Sequence, residues 1–456
     1  MNGYAEEIAE RDSDRPSRRA TNPSRFERGA TIVLAFVFLS LIALLLLGVP
    51  VAFSMGIVSV AYLLLEGGIP WAVVSQRMSQ GTDSFTLLAI PMFILAGALM
   101  NTSGVTQRLF HFANLLVGHL VGGLAHVNVV ASVIFAGMSG SIVADVGGLG
   151  QIEIRAMKDR GFPLPFSAAV TAASAVIGPI IPPSILLIIY GGLSGASIGD
   201  LFIAGIIPGV LMAVYMMGAI YVIARREGYP REARAKFRDV LRGGIAAIPA
   251  LLTPIIIVGG ILLGVFTPTE SAAVAAVYTF ILGFFVYREL TVVRLVRVFE
   301  EVFVTTSVIM FILAVGNVFS WVLIREQVGP KLVAYLGGLN VPAWAILLLL
   351  VGAFIVLGSV MSASINLVIV VPLVLPLIHA LNIDPVHFGI IAVLTLALGT
   401  ITPPVGLAMY TACAIADIQV SEFVRAVIPL FVALLVCVLT LVFFPQIVLF
   451  LPGLRG

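Results

Sequence analysis

Gly178-Pro179-Ile180-Ile181-Pro182-Pro183-Ser184 interrupts a long apolar run, and Gly399-Thr400-Ile401-Thr402-Pro403-Pro404-Val405 interrupts another far downstream. Both stretches contain the pattern Gly-x-x-x-Pro-Pro. Each follows a Gly/Ser-rich interruption at a similar distance, at 137–141 in the first case and at 358–364 in the second. Because a pattern of this length occurs twice, it predicts an internal duplication.

Proline gives both stretches the same backbone consequence, because it lacks an N–H and leaves the carbonyl four residues earlier without its helical donor. Pro182 is expected to orphan the carbonyl of Gly178, and Pro403 that of Gly399. Within a bilayer such a carbonyl is costly unless protein, water or an ion satisfies it. Broken helices at matching positions of two repeats predict a transporter's binding site near the membrane midplane. The competing interpretation is that each proline pair only kinks a transmembrane helix.

The composition is that of a polytopic membrane protein. Of 456 residues, 60% are hydrophobic and 11% are charged, whereas soluble domains carry about 25% charged residues; the mean hydropathy is +1.14. With roughly 20 residues a span, the apolar sequence allows about ten to twelve crossings. The net charge of +2 gives no support to nucleic-acid binding. Cys413 and Cys437 lie singly in apolar sequence and are expected to be packed thiols, since no Cys/His metal spacing is present.

Apolar limbs joined by short turns divide the chain into two repeats. A limb at 126–138 is too short to cross a bilayer comfortably, turns at Ser139-Gly140-Ser141 and returns, which is typical of a re-entrant hairpin. Limbs at 342–357 and 365–380 predict a second hairpin. From the N-terminus, we expect a disordered cytoplasmic tail (1–29), scaffold helices (30–103), an interfacial arm helix (104–124), the first transport repeat (125–199), scaffold helices with a cytoplasmic loop at 225–242 (200–289), a second interfacial arm helix (290–301), a linking span (302–340), the second transport repeat (341–420) and a C-terminal span (421–456).

Basic residues set the expected orientation. Arg and Lys residues crowd into the loop at 225–242, which is the strongest positive-inside signal in the chain. The base of the first hairpin carries Arg155, Lys158 and Arg160 and is expected on the same, cytoplasmic side. Since an odd number of crossings then separates the repeats, the second hairpin is expected to open from the other side. The expected fold is therefore an all-α polytopic membrane protein with inverted repeats, two re-entrant hairpins and two broken helices.

Longer motifs resemble those of one known family. In chain order they are Leu88-Ala-Ile-Pro-Met-Phe-Ile-Leu-Ala-Gly97, Phe135-Ala-Gly-Met-Ser-Gly-Ser-Ile-Val-Ala-Asp145, Ala172-Ala-Ser-Ala-Val-Ile-Gly-Pro-Ile-Ile-Pro-Pro-Ser184, Phe266-Thr-Pro-Thr-Glu-Ser271, Ile383-Asp-Pro-Val-His-Phe-Gly389 and Leu398-Gly-Thr-Ile-Thr-Pro-Pro-Val-Gly406. With them the chain resembles the large membrane subunit of tripartite ATP-independent periplasmic (TRAP) transporters. The resemblance implies an elevator-type, sodium-coupled importer of organic acids, such as C4-dicarboxylates or sialic-acid-like carboxylates, in the bacterial inner membrane.

The same resemblance implies two partner proteins, a small four-helix membrane subunit and a soluble periplasmic substrate-binding protein. Neither is recognisable within this sequence, so both are expected to be separate polypeptides. The chain departs from the family at the second hairpin tip, where relatives commonly have Leu-Asp-Pro and this chain has Met361-Ser362-Ala363. A hydroxyl at position 362 removes one negative charge from the expected site.

Oxygen-bearing residues at the turns and breaks are the candidate ligands for sodium ions, because sodium is a hard cation and hard cations prefer oxygen ligands. One site is expected from the hydroxyls of Ser139 and Ser141 with the carbonyls of Gly178, Ile181 and Pro183. Its symmetric partner is expected from the hydroxyls of Ser362, Ser364 and Thr402 with the carbonyls of Gly399 and Pro404. The competing interpretation is that small hydroxyl residues only permit tight helix packing.

The candidate substrate contacts are Ser141, Asp145, Ser184, Arg325 and Ser362. Asp145 is a rare acid between apolar limbs, and such acids usually serve function. It is expected either to compensate the charge of sodium or to bond a substrate hydroxyl; a helix cap or a salt bridge to the scaffold is the alternative. Ser184 begins a half-helix whose positive end suits a carboxylate. Arg325 is expected to clamp a carboxylate in bidentate fashion, or else to snorkel beside Glu326.

The sequence gives no support to an enzyme. It has no HExxH, no Walker A motif and no Gly-x-Ser-x-Gly in a strand context. The nearest rival to a TRAP subunit is a stand-alone sodium/dicarboxylate carrier, which has inverted hairpins but needs no binding protein. A membrane scaffold without a transport cycle is the third interpretation, although nothing in a scaffold requires unsatisfied carbonyls at the midplane.

Overall fold

The computed structural model describes residues 36–337 and 341–454, apart from the side chains of 138–139 and 335–337, and this part of the chain is helical without a strand. The expected tail at 1–29 lies outside the described residues. The chain forms two compact units, 1–69 and 70–456. The described part of the first unit has the helices Phe36–Leu46 and Val51–Glu66. Gly48, with φ +80°, lies at the turn between them.

The second unit is a chain of helices with short connections. They are Ala72–Thr82, Ala89–Thr102, Val105–Val117, Gly123–Ser139, Ile142–Gly147, Leu149–Asp159, Leu164–Ala175, Ile185–Ser194, Ile198–Glu227, Phe237–Leu262, Pro268–Ile281, Val292–Arg325, Val328–Gly337, Ala343–Val360, Ala363–Ala380, Pro385–Gly399, Leu407–Ala416, Val420–Phe443 and Pro445–Gly453. In the described ranges, eight helices are long and apolar enough to cross a bilayer, and seven shorter apolar helices accompany them. The chain is a multi-pass membrane protein.

The first repeat contains a hairpin and a broken helix. Hairpin 1 consists of Gly123–Ser139 and a return limb at 142–159. Its turn is made by Gly140, whose φ of +61° favours glycine, and by the extended Ser141. Break 1, residues 176–184, separates the helices Leu164–Ala175 and Ile185–Ser194. The predicted turn and break are therefore confirmed, whereas a further interruption of the return limb at Gly148, within the pair Gly147-Gly148, was not predicted.

The second repeat copies this arrangement. Hairpin 2 consists of Ala343–Val360 and Ala363–Ala380. Break 2, residues 400–406, separates Pro385–Gly399 from Leu407–Ala416. The turn of hairpin 2 is shorter than the expected 358–364, since only Met361 and Ser362 leave the helical conformation.

The helices of the two repeats pack in a reciprocal pattern. In each repeat the first limb of the hairpin packs against the first half of that repeat's broken helix. The return limb packs against the same half and also against the second half of the other repeat's broken helix, so that 142–147 contacts Leu407–Ala416 and Ala363–Ala380 contacts Ile185–Ser194. This exchange is the arrangement that a duplicated unit with a pseudo-twofold relation produces.

The bases of the hairpins lie at opposite ends of this arrangement. At the base of hairpin 1, the Arg160 guanidinium pairs with Glu232 of the Arg-rich loop at 2.7 Å. At the base of hairpin 2, the Pro385 carbonyl accepts a hydrogen bond of 2.6 Å from Tyr190, which lies on the second half of the first broken helix. The Arg-rich loop and the base of hairpin 1 are thus on one side, as their charges predict, and the repeats are inverted.

Two helix boundaries differ from the expectation. The arm at 290–301 is not separate from the span that follows, because one helix of 34 residues, Val292–Arg325, includes both. Arg and Glu are good helix formers and neither glycine nor proline interrupts this junction. For the same reason the helix Ile198–Glu227 continues into the predicted loop at 225–242, and the next helix begins at Phe237. Cys413 and Cys437 are free, buried thiols, as expected.

Candidate functional site

A cavity of about 390 Å³ lies where the tips of both hairpins meet both breaks. Its lining includes Ser141 from hairpin 1, and Ser362 and Ser364 from hairpin 2. Pro179 of break 1 and Thr400 of break 2 contribute as well. The two halves of the duplicated sequence therefore meet at one cavity.

Besides the six-residue helix Ile142–Gly147, three longer helices begin at the wall of this cavity. Ile185 and Leu407 are the first residues of the second halves of the broken helices, and Ala363 is the first residue of the return limb of hairpin 2. All three line the cavity. The N-terminus of a helix carries a partial positive charge and N–H groups without helical acceptors, so it attracts anions. Some of these N–H groups are already paired here, since those of Ala408 and Met409 donate to the Thr400 carbonyl and that of Leu187 donates to Ser184. The cavity is thus suited to an anion without a basic side chain.

Hairpin 1 contacts break 1 through its turn. A Cβ atom at Gly140 would lie 2.9 Å from the carbonyl oxygen of Pro183, so only glycine allows the turn to approach this closely. The carbonyl of Gly178 has no hydrogen-bond donor among the described residues, as the sequence predicts. Ser184 is fully buried and caps the following helix, because its hydroxyl accepts from the N–H of Leu187 and donates to the carbonyl of Pro179.

Break 2 satisfies its backbone differently. The prediction that Gly399 has an orphaned carbonyl is wrong, because this oxygen accepts hydrogen bonds from the N–H of Thr402 at 3.0 Å and from its hydroxyl at 2.7 Å. A turn residue with a hydroxyl supplies the donors that proline removes. At the tip of hairpin 2, the carbonyl of Ser359 accepts from the N–H groups of Val405 and Gly406 at 2.9 and 2.8 Å. Hairpin 2 is thus bonded to break 2 through main-chain atoms.

The carboxylate of Asp145 lies against break 1. A Cβ atom at Gly178 would be 2.8 Å from Asp145 Oδ2, and Asp145 is only 5% exposed. The acid is therefore neither at the surface nor within the lining of the cavity, but directly behind it. Asp145 and Gly178 therefore lie side by side at break 1.

A second buried acid, Glu153, escaped the sequence analysis. It is 1% exposed on the return limb of hairpin 1 and hydrogen-bonds to Thr171. Thr171 in turn accepts a hydrogen bond of 2.6 Å from Asn128, whose side-chain oxygen accepts one of 2.7 Å from Ser174. This network joins the two limbs of hairpin 1 to the first half of the broken helix. In the sequence Glu153 lies among surface charges at the hairpin base, which hides its burial.

Comparisons with known proteins agree with this geometry. The family described as the tripartite ATP-independent periplasmic transporter, DctM component, matches residues 38–447. The chain belongs to this family. The sialic acid TRAP transporter large permease protein SiaM of Vibrio cholerae is 42% identical over 413 residues, which cover 91% of this chain and 97% of that protein.

Two further proteins extend the comparison. The C4-dicarboxylate TRAP transporter large permease protein DctM of Pseudomonas aeruginosa is 38% identical over 380 residues, 83% of this chain and 89% of that protein. Among solved structures, the YdaH transporter of Alcanivorax borkumensis is similar in fold, with a TM-score of 0.61 at 15% identity over 82% of this chain and 87% of that chain. At this identity the likeness concerns the fold alone.

The DctM-family fold brings together some of the predicted site residues. Ser141, Ser362 and Ser364 line the cavity. Pro183 lies against Gly140 of hairpin 1, Gly178 against Asp145, and Gly399 against Gly358 of hairpin 2, whereas Ile181 packs against Gly209 of the helix Ile198–Glu227. Thr402 bonds to Gly399 within break 2. The side chain of Ser139 lies outside the described residues. Ser184 serves as a helix cap, so its neighbours Ile185 and Leu186 line the cavity instead. The assignment of these residues to substrate or sodium stays a prediction.

Arg325 lies apart from the residues that line the cavity. It is the last residue of the helix Val292–Arg325, it is exposed, and its guanidinium lies 5.6 Å from the centre of the Trp321 ring. Its role as a carboxylate clamp therefore stays a prediction. The same helix instead contributes Glu301 and Thr305 to the lining, and Asn101 faces the cavity from the helix Ala89–Thr102. None of these three was singled out in the sequence analysis, because none belongs to a local motif that marks a site.

Proposed function

We propose that this chain is the large permease subunit of a sodium-coupled importer that moves an organic acid across the bacterial inner membrane. It works with a separate small membrane subunit and with a periplasmic binding protein that delivers the substrate. The substrate class is a carboxylate, either a sialic-acid-like sugar acid or a C4-dicarboxylate. Both classes occur in the names of relatives that align over most of this chain.

The cavity at the meeting point of both repeats carries this proposal. Three helix N-termini converge on it, and Ser141, Ser362 and Ser364 add hydroxyl groups. An anion bound there is stabilised by oriented main-chain dipoles, which do not have to be desolvated as a free lysine does. A carboxylate is the anion that fits a transporter of this family.

Sodium ions are proposed as the coupling ions, one beside each break. Break 1 offers the unpaired carbonyl of Gly178 and the carbonyl of Pro183 beside the turn of hairpin 1. At break 2 the hydroxyl of Thr402 donates its proton to Gly399 and still presents its lone pairs to a cation. Each proposed site joins a hairpin to a break, so binding of the ions favours the closed tips that shape the cavity.

An elevator movement is proposed because the cavity has two walls of different origin. Hairpin tips and breaks form one wall, and single faces of the helices Ala89–Thr102 and Val292–Arg325 form the other. If the first wall moves as one body past the second, the bound acid is carried from one side of the membrane to the other. The direct ties of each hairpin tip to its break support such rigid movement.

Reconstitution tests the proposal. The chain and its small subunit are placed in liposomes, and uptake of radiolabelled N-acetylneuraminate and of succinate is measured with and without the cognate binding protein. We expect uptake of at least one acid only with all three proteins and an inward sodium gradient. Equal uptake in potassium-only medium would exclude sodium coupling. Uptake that needs no binding protein would favour the stand-alone carrier.

A further inference from the structure

Glu301 is the one carboxylate among the described residues that line the cavity, and that lining includes no Lys, Arg or His. It lies on the helix Val292–Arg325 with Thr305 and Ile309, one turn and two turns further on, so all three share one helix face. Its side chain is exposed, and it has no ion pair with any residue in the described ranges. The serines of the hairpin tips line the same cavity.

Glu301 lies where the polar end of its helix gives way to an apolar segment. Arg297 and Glu300 precede it, and Val302, Phe303 and Val304 follow. Its place in the cavity lining, and not the local sequence, sets it apart from the neighbouring charges. The matched neighbour Glu300 is exposed on the same helix but does not line the cavity.

We propose that Glu301, together with Asn101, binds the hydrogen-bond donors of the substrate, and that the substrate is a carboxylate with hydroxyl or amine groups at its other end. This inference rests on the proposed function and narrows its substrate class. The helix N-termini at Ile185, Ala363 and Leu407 hold the carboxylate. Glu301 and Asn101 accept hydrogen bonds from the polar groups that face the second wall.

The negative charge of Glu301 disfavours dicarboxylates as substrates. A dicarboxylate with one end at the helix N-termini directs its second negative charge towards the side that Glu301 occupies, and like charges repel. A hydroxylated acid instead gains a hydrogen bond to an ionised acceptor, worth roughly a 10- to 100-fold gain in affinity. Relatives commonly have an aspartate where this chain has Ser362. Glu301 is therefore the acid that remains among the described residues lining the cavity.

Glu301 and Asn101 lie on the second wall of the cavity, which is formed by the helices Val292–Arg325 and Ala89–Thr102. If the hairpin tips and breaks move past the helices that carry Asn101 and Glu301, these two residues contact the substrate in one position of the movement only. They therefore select the substrate where it meets this wall, and they do not travel with it. A preference located on the stationary wall is separable from the selection that the binding protein makes.

The experiment uses the purified complex of this chain with its small subunit, in sodium, without the binding protein. Thermal unfolding is followed against rising concentrations of three probes: N-acetylneuraminate, D-gluconate and succinate. For the unaltered protein we expect the hydroxylated monocarboxylates to stabilise at concentrations about tenfold lower than succinate does. In Glu301→Gln we expect the hydroxylated acids to need roughly tenfold higher concentrations to stabilise the protein, and succinate to need lower ones. The preference for hydroxylated acids over succinate then disappears.

Two variants make the result specific. Glu300→Gln removes the same charge from the adjacent position and is expected to keep the original preference. Glu301→Asp keeps the charge and is expected to retain discrimination against succinate, which a purely structural role of the side chain would not explain. If Glu301→Gln and Glu300→Gln change the preference equally, the proposal is overturned. It is also overturned if succinate stabilises the unaltered protein as well as the hydroxylated acids do, an outcome that leaves organic-acid transport intact. If no acid stabilises the complex, the inference and the proposed function fail together.

Discussion

Break 1 and break 2 share one sequence pattern but not one chemistry. At break 1 the carbonyl of Gly178 has no donor among the described residues, and the carboxylate of Asp145 lies against the glycine. At break 2 the carbonyl of Gly399 accepts two hydrogen bonds from Thr402, and no acid takes the place of Asp145 among the contacts described there. Duplication thus preserved the interruption of the helix while the neighbouring side chains diverged. We expect break 1 to bind a cation more tightly than break 2.

Replacing the glycines of the two breaks, Gly399 and Gly178, by alanine is expected to have the largest effects. A Cβ atom at Gly399 would lie 2.5 Å from the carbonyl oxygen of Ile355 and 2.6 Å from Gly358, both main-chain atoms of the packed first limb of hairpin 2. Gly399→Ala is therefore expected to cost about 1–3 kcal/mol or more through overpacking and to reduce the yield of folded protein. At Gly178 the nearest atom belongs to the Asp145 side chain. Gly178→Ala is expected to fold and to weaken sodium dependence.

Size-exclusion profiles and thermal unfolding of both variants check the first expectation, and the sodium concentration for half-maximal uptake checks the second. A folded Gly399→Ala protein with normal stability would show that hairpin 2 is more adaptable than its contacts indicate. Gly259→Ala is a suitable control, because a Cβ atom there meets nothing within 4 Å.

Removing the acid at break 1 is expected to have the next largest effect. Asp145→Asn conserves size but loses a charged partner for the cation, and a contact to a charged group is worth roughly 1.5–3 kcal/mol. We expect the sodium concentration for half-maximal uptake to rise about 10- to 100-fold. Asp159→Asn on the same return limb is the matched control, since Asp159 is exposed. An equal response of the two variants would mean that the asymmetry between the breaks has no functional role.

Adding an acid to the second repeat is expected to have a smaller effect. Ser362 lines the cavity and lies at the N-cap position of the helix Ala363–Ala380, where aspartate is well tolerated. Ser362→Asp is expected to tighten sodium binding a few-fold, since charge-assisted contacts are about twice as strong as neutral ones. If the hydroxyl contacts the substrate instead, uptake falls while the sodium dependence is unchanged. Sodium titrations of uptake in the variant distinguish these results, and no change in either quantity would place position 362 outside both sites.

The sequence predicted the elements of the candidate site better than its contacts. Proline and glycine act on the backbone of their own segment, so the turn at Gly140 and both breaks were readable from the chain alone. The sequence did not show whether each carbonyl at the breaks has a hydrogen-bond donor. Whether Gly399 is orphaned depends on how Thr402 orients within the turn, and the prediction was right for Gly178 and wrong for Gly399.

The sequence did not predict the positions of residues whose surroundings come from distant parts of the chain. Glu153 appears in the chain among exposed charges, yet it is buried because Thr171 and Asn128 approach it from other helices. Glu301 begins an apolar segment, and only the packing of its helix directs it into the cavity. Neither position has a local pattern that separates it from its neighbours.

By itself the sequence determined that this protein crosses the membrane many times, that it is built from two repeats, and where each repeat interrupts its helices. These properties follow from composition and from the local geometry of proline and glycine. The tertiary structure decided which side chains meet at the interruptions. Asp145 reaches Gly178, and Ser359 bonds to break 2, only because the limbs of each hairpin pack against helices far away in the chain. Contacts between distant segments depend on the packing of the whole fold, and for that reason the chemistry of the two breaks differs although their sequences match.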